Sequence, residues 1–278
     1  MKNLKRKLAI ALLSGITLIT TACGSSVSNE EVIKKVYESA NNIKSADIEL
    51  DLDMELALKD QSLKTSMKGK TSFISEPLAM SMDVITTAFQ GEMKIKAYFK
   101  DNYMYISNPV KEGEWIKTDN EQLVKQIQEQ QKNLTSDKIV EIFKNSSDKI
   151  KVDEKDGKYH VTYSGDGSEY KDIFITALSS TIQDPAALEN IKNNTKFKKV
   201  NVTYVVDKNN YTPIEQKVDM ELEITEAGNT ANTKIKGTTK YSNVNNVKEI
   251  VLPEEAKNAK SLEELEKEQQ EQQAEKSE

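Results

Sequence analysis

Between Ala46 and Leu58 every even position is apolar, and from 47 to 55 every odd position is acidic. Ala46, Ile48, Leu50, Leu52, Met54, Leu56 and Leu58 are apolar, and Asp47, Glu49, Asp51, Asp53 and Glu55 stand between them. Successive side chains of a strand point to opposite faces, so this pattern specifies a long antiparallel strand with one dry and one wet face. After a turn at Lys59-Asp60, Leu63, Met67 and Phe73 continue the apolar side while Lys64, Lys68 and Lys70 take the other. The acidic and basic stripes are expected to pair across this hairpin on its exposed face.

The same period returns at Leu78–Ala88, Gly91–Phe99 and Asn102–Ser107, and briefly around Trp115-Ile116. It appears again at Ile150–Val152 and Lys158–Ser164, around the Asp156-Gly157 hairpin signal. Three long strands, Phe197–Asp207, Thr212–Thr225 and Thr233–Val247, close the series. Helical spacing interrupts it. Ser28 opens a helix with Val32, Val36, Ala40 and Ile43 on one stripe, reaching about Ile43. Leu123, Val124 and Ile127, then Ile139, Val140 and Phe143, mark two central helical patches. Ser168 caps a helix bearing Tyr170, Ile173, Phe174, Ala177, Leu178 and Ile182, and Asp184-Pro185 starts another with Leu188 and Ile191. Strands segregate from helices, which argues an α+β fold built on a single long antiparallel sheet. The central helices are the only material available to cover its apolar face. The domain runs from 28 to 253, ending at Ile250-Val251-Leu252-Pro253; residues 254–278, rich in Glu, Gln and Lys, read as a solvated helix or disorder.

Ahead of all this, Lys2, Lys5, Arg6 and Lys7 precede a stretch from Leu8 to Ile19 that is apolar apart from Ser14, Gly15 and Thr17. It is too short to span a bilayer and has the length of a signal-peptide core. Thr20, Thr21 and Ala22 lead into Cys23, the only cysteine. This resembles the bacterial lipobox, in which the cysteine sulfur receives a diacylglycerol and the leader is cut just before it. Thr20 departs from it, standing where the family prefers Leu. The resemblance implies a signal peptide at 1–22, a lipidated tether at 23–27 and a protein held on the extracytoplasmic side of the cell membrane. Two acyl chains, at about 0.8 kcal/mol per buried CH₂, anchor stably where one is marginal. Cys23 is then an anchor and not a nucleophile.

Composition removes several function classes. The leader holds four of the 39 basic residues and none of the 45 acidic ones, leaving 35 against 45, a net of −10. Such a surface repels nucleic acid. With Cys23 consumed no disulfide forms, and with His160 the only histidine no His/Cys zinc site can be assembled. Arg6 is the only arginine, and with abundant Asn and Ile the composition resembles that of an AT-rich, Gram-positive genome. The carboxylates of Asp47 to Glu55 lie about 6.6 Å apart along one strand, with no Gly-centred loop to fold them around calcium. His160, between Tyr159 and Val161, falls on the polar face without an identifiable partner. Gly165-Asp166-Gly167-Ser168 lacks the Lys of a phosphate-binding loop and reads as a strand-to-helix turn. Trp115 reads as an edge-strand core residue or as an aromatic at the mouth of a cavity. No catalytic residue, metal site or cofactor is indicated.

The lipobox, the N-terminal helix, the long hairpins and the inserted helices together resemble the lipoprotein-carrier fold of LolA and LolB and the LppX/LprG-type lipoproteins of mycobacteria. Val205-Val206-Asp207 through Tyr211-Thr212-Pro213-Ile214-Glu215, and the closing Ile250-Val251-Leu252-Pro253, carry the likeness, which is one of layout over residues 28–253. The layout also resembles that of a family of Gram-positive lipoproteins. The resemblance implies a curved half-barrel whose concave face is covered by helices, and carriage of a lipid or other amphiphile; it supplies no catalytic residue and names no protein partner. Met54, Met67, Met80, Met82, Met93, Met104 and Met220 all fall on the apolar parity of their strands. One such Met reads as a gap-filler; collectively their flexible thioethers suit an acyl-chain surface. Met54, Met67, Met80, Met82, Met93 and Met220, with Phe174 and Leu178 of the plugging helix, are therefore the expected ligand contacts. The rival reading is a structural or interaction lipoprotein of the cell envelope with no small ligand.

Overall fold

The structure, a computed structural model, describes residues 27–59, 61–88, 91–109, 111, 113–120, 147–168, 171, 175, 184–226, 229–261, 263–265 and 267. Its elements are α1 (Asn29–Asn41), β1 (Ser45–Leu58), β2 (Gln61–Ser75), β3 (Leu78–Ala88), β4 (Gly91–Lys100), β5 (Tyr103–Ser107) and β6 (Trp115–Asp119). There follow β7 (Ile150–Lys155), β8 (Lys158–Gly165), α2 (Pro185–Asn194), β9 (Thr195–Asp207), β10 (Pro213–Glu226), β11 (Asn229–Ser242), α3 (Glu254–Lys257) and β12 (Lys260-Ser261). The central helical patches at 121–146 and nearly all of the helix expected after Ser168 lie outside the described residues. The cover expected of these central helices on the concave face is therefore not part of what the structure describes.

All twelve strands join one open, curved sheet in the order β12-β6-β5-β4-β3-β2-β1-β11-β10-β9-β8-β7. Two meanders, β1 to β6 and β7 to β11, are welded where β1 pairs along its length with β11. The expectation of a purely antiparallel sheet fails at one edge. Beyond Pro253 the chain forms α3, buries Ala256 completely, and lays β12 parallel to β6. The folded part thus continues past the expected end at residue 253, because the segment from Ile250 onward has aromatic side chains to cover.

β1 and β2 pair in the expected register, from Ser45 opposite Ile74 to Leu58 opposite Gln61. The stripes meet as expected: Lys68 lies 3.3 Å from Asp51 and Lys70 3.2 Å from Glu49. Glu215, Lys240, Glu49, Lys70, Asp83 and Lys96 stand in one row across six strands, alternating in sign. Like charges never stand directly opposite in that row, so the charged face balances itself. β11 stops at Ser242 instead of Val247, since Asn243 and Asn245 take left-handed backbone (φ 48° and 59°). Asn tolerates that region, and the side chain of Asn245 accepts from Lys44 N at 2.7 Å, closing off the start of β1. α1 begins as expected, with Ser28 Oγ accepting from Glu31 N.

Two cores result, on opposite faces. On the apolar face, Val32 of α1 joins Ile150, Tyr159, Val161, Tyr163, Phe197, Val200, Val206 and Leu222 from β7 to β10. On the charged face, Tyr105, Trp115 and Ala256 form a second cluster with Tyr98, Leu252 and Ala259 against it. Trp115 is thus a buried core residue, 5.8 Å from Tyr98 between ring centroids, covered by the returning C-terminal segment.

Candidate ligand-binding site

The register turns the apolar parity of nine strands into cross-strand rows. Ala46, Phe73, Met80, Phe99, Met104 and Thr118 form one row, and Ile48, Thr71, Met82, Ala97, Ile106 and Ile116 the next. Farther along come Val202, Val218, Gly237, Leu52, Met67, Thr86 and Met93, then Val200, Met220, Ile235, Met54 and Thr65. The last two are Phe197, Leu222, Thr233, Leu56 and Leu63, and Thr195, Ile224, Ala231, Leu58 and Gln61. No charged residue stands in any of these rows. The seven methionines from Met54 to Met220 share the face.

Burial divides it. Val200, Tyr163 and Leu222 are closed from solvent, whereas Met54, Leu58, Leu63 and Met93 are 40, 41, 42 and 44% exposed. Leu63 and Leu222 belong to the same row, so the change from open to sealed occurs within four strands. Met67, Met80, Met82, Met104 and Met220 are half-buried, Met220 against the large core. Phe174, Leu178 and Cys23 lie outside the described residues.

Local chemistry explains the sealed side. Gly167 takes φ +74°, and a Cβ there would overlap the side chain of Val200, so the turn after β8 rests directly on the sheet. Between Phe197 and Val200 β9 carries an extra residue, the bulge opposite Glu221 and Leu222, which restores both large side chains to the apolar face. Tyr204 and Tyr241 meet edge-on at 6.4 Å, and burial pushes both phenols above the ordinary pKa of tyrosine. Tyr159 stacks on Tyr211 at 5.8 Å, with Lys35 of α1 over Tyr211.

Two polar groups on the apolar face went unnoticed in the sequence. Thr195 and Thr233 are 3 and 6% exposed, and neither hydroxyl has a hydrogen-bond partner among the described residues. Their one sequence signal is a polar residue at apolar parity.

The charged face offers different chemistry. Hollows of about 520 Å³ lie over Glu49, Asp51, Lys68, Lys70 and Asp83, and over His160, Glu215, Lys158 and Lys240. Both are open and lined by charges of both signs. His160 lies on this polar face, opposite Asp153 and Val205. Among the described residues no group of three or more His, Cys, Asp or Glu side chains is arranged to hold a metal ion. Nor is any described helix long and apolar enough to cross a membrane.

Among solved structures, LprF from Mycobacterium bovis is similar over 82% of this chain and 96% of its own, at 8% identity and a TM-score of 0.38. A LolA superfamily protein from Nitrosomonas europaea is similar over 82% and 96%, at 11% identity and a TM-score of 0.18. A beta-barrel-like protein of domain of unknown function DUF1849 from Brucella abortus is similar over 71% and 97%, at 8% identity and a TM-score of 0.21. No curated protein matches. One family model spans residues 28–261, from the cap of α1 to the last residue of β12, and the chain belongs to that family, DUF6612, a family of unknown function.

Proposed function

We propose that this protein is a membrane-anchored, extracytoplasmic lipoprotein that binds a lipid or other amphiphile on the apolar face of its half-barrel. The observation that carries the reading is the uncharged, methionine-bearing face, sealed at one end and 40–44% exposed at Met54, Leu58, Leu63 and Met93. An acyl chain laid there gains about 25 cal/mol per Å² of buried apolar surface before the costs of association. Methionine suits this role because its unbranched thioether moulds to an irregular chain. Phe174 and Leu178 are proposed to close over the ligand, and Cys23 to carry the diacylglycerol that keeps the domain at the bilayer.

Native mass spectrometry of protein solubilised from membranes tests both parts at once. The covalent mass should be that of a chain beginning at Cys23 with a diacylglycerol added, and gentle activation should release a non-covalent amphiphile. A mass without the lipid removes the anchor. Absence of any co-purifying or added amphiphile, over a broad panel, leaves the interaction lipoprotein in its place.

A further inference from the structure

Thr195 and Thr233 stand out on a face that is otherwise satisfied. Buried polar groups are almost always hydrogen-bonded, yet these two hydroxyls are closed from solvent and have no partner among the described residues. Both belong to the apolar face, in adjacent rows, where it passes from sealed to open. Thr233 stands between Leu222, 2% exposed, and Leu56, with Leu63 at 42% beyond. Thr195 lies in the row that ends at Leu58 and Gln61. The neighbouring row carries Met220 and Met54.

We infer that Thr233 and Thr195 form the polar half of the ligand site, their hydroxyls donating to the uncharged ester or amide carbonyl of an acyl-chain amphiphile whose tail lies along the methionine rows. This rests on the amphiphile reading and narrows it. A carbonyl oxygen accepts from a hydroxyl without bringing charge into the interior. An ionised carboxylate at the same place would need a cation, and the rows supply none; a buried unpaired charge is far more costly than a buried carbonyl. The charged part of such an amphiphile, if it has one, stays outside the open end.

The test uses the mature chain and a bound fluorescent fatty acid, displaced in parallel by monooleoylglycerol and by ionised oleate. Each variant is also melted without ligand. Wild type should release the probe at lower concentrations of monooleoylglycerol than of oleate. Thr233→Val keeps the β-branched shape and removes an unsatisfied hydroxyl, so it should melt higher than wild type while weakening monooleoylglycerol about tenfold and leaving oleate unchanged. Thr195→Val should act in the same direction, and Thr233→Ser should retain ester binding. Unchanged monooleoylglycerol binding in both Val variants, a preference for oleate, or a Thr233→Val protein that melts lower would each overturn the inference while the amphiphile reading stands. If neither ligand displaces the probe and the probe itself does not bind, the amphiphile reading falls first.

Discussion

Leu222 and Leu63 lie three strands apart in one row of one sheet face, and solvent reaches 2% of the first and 42% of the second. Both stand at the apolar parity of their strands. Around Leu222 the bulge in β9 turns Phe197 and Val200 inward, the Gly167 turn presses on Val200, and Val32 of α1 completes the layer. Around Leu63 the β1–β2 hairpin extends beyond the end of β3. Alternation therefore decides which face a residue joins, but a second layer decides whether that face becomes core.

The largest expected effect breaks the comparison outright. Leu222→Lys places an unpaired charge in the sealed core and should cost on the order of 4 kcal/mol, much of a domain's stability. Leu63→Lys at the open end, and Glu221→Lys on the charged face beside Leu222, should each cost about 1 kcal/mol or less. Denaturant melts compare them, and equal losses at Leu222 and Leu63 would show that the open end is core after all.

A smaller effect isolates the contact that seals one side. Gly167 and Gly157 have similar positive φ, +74° and +70°, but only Gly167 has a neighbour that a methyl group would strike. Gly157→Ala should cost about 1 kcal/mol for the left-handed backbone alone. Gly167→Ala should cost about 1–3 kcal/mol more, the usual range for overpacking. Equal melting temperatures for the two variants would mean that the turn does not press on Val200.

The smallest effect concerns the same apolar face farther from the Leu222–Leu63 row. Burial raises the pKa values of Tyr204 and Tyr241 above the 10.0 of free tyrosine. Above about pH 10 the unfolded chain gives up phenolic protons that the folded protein must keep, so stability falls as pH rises and is unaffected below. Tyr204→Phe should flatten that alkaline decline in a pH series of thermal melts. A profile no different from wild type would place the phenol in solvent.

Much of this was legible from residue order. The acidic and lysine stripes announced the β1–β2 register, and they meet at 3.2–3.3 Å. Ser28 and Asp184 mark the helix starts they cap. The Met residues declared their common face through parity alone. Other features left weaker traces. The doubled Lys198-Lys199 is the only sign of the bulge that reverses parity in β9. Trp115 could be read as buried, but not as buried on the charged face, because its cover arrives from residues 250–261. Thr195 and Thr233 look like ordinary strand threonines until their surroundings are known.

By itself the sequence determined the strands, their two faces and the pairing of neighbours, because side-chain period and turn chemistry act over a few residues. Only the tertiary structure decided that β1 lies at the centre, joined to β11 nearly two hundred residues away. It also decided which rows are sealed and which two hydroxyls are stranded. Those outcomes depend on which distant segment covers which patch. Burial energy is non-directional, so residue order sets how much apolar surface must be covered but leaves open what covers it.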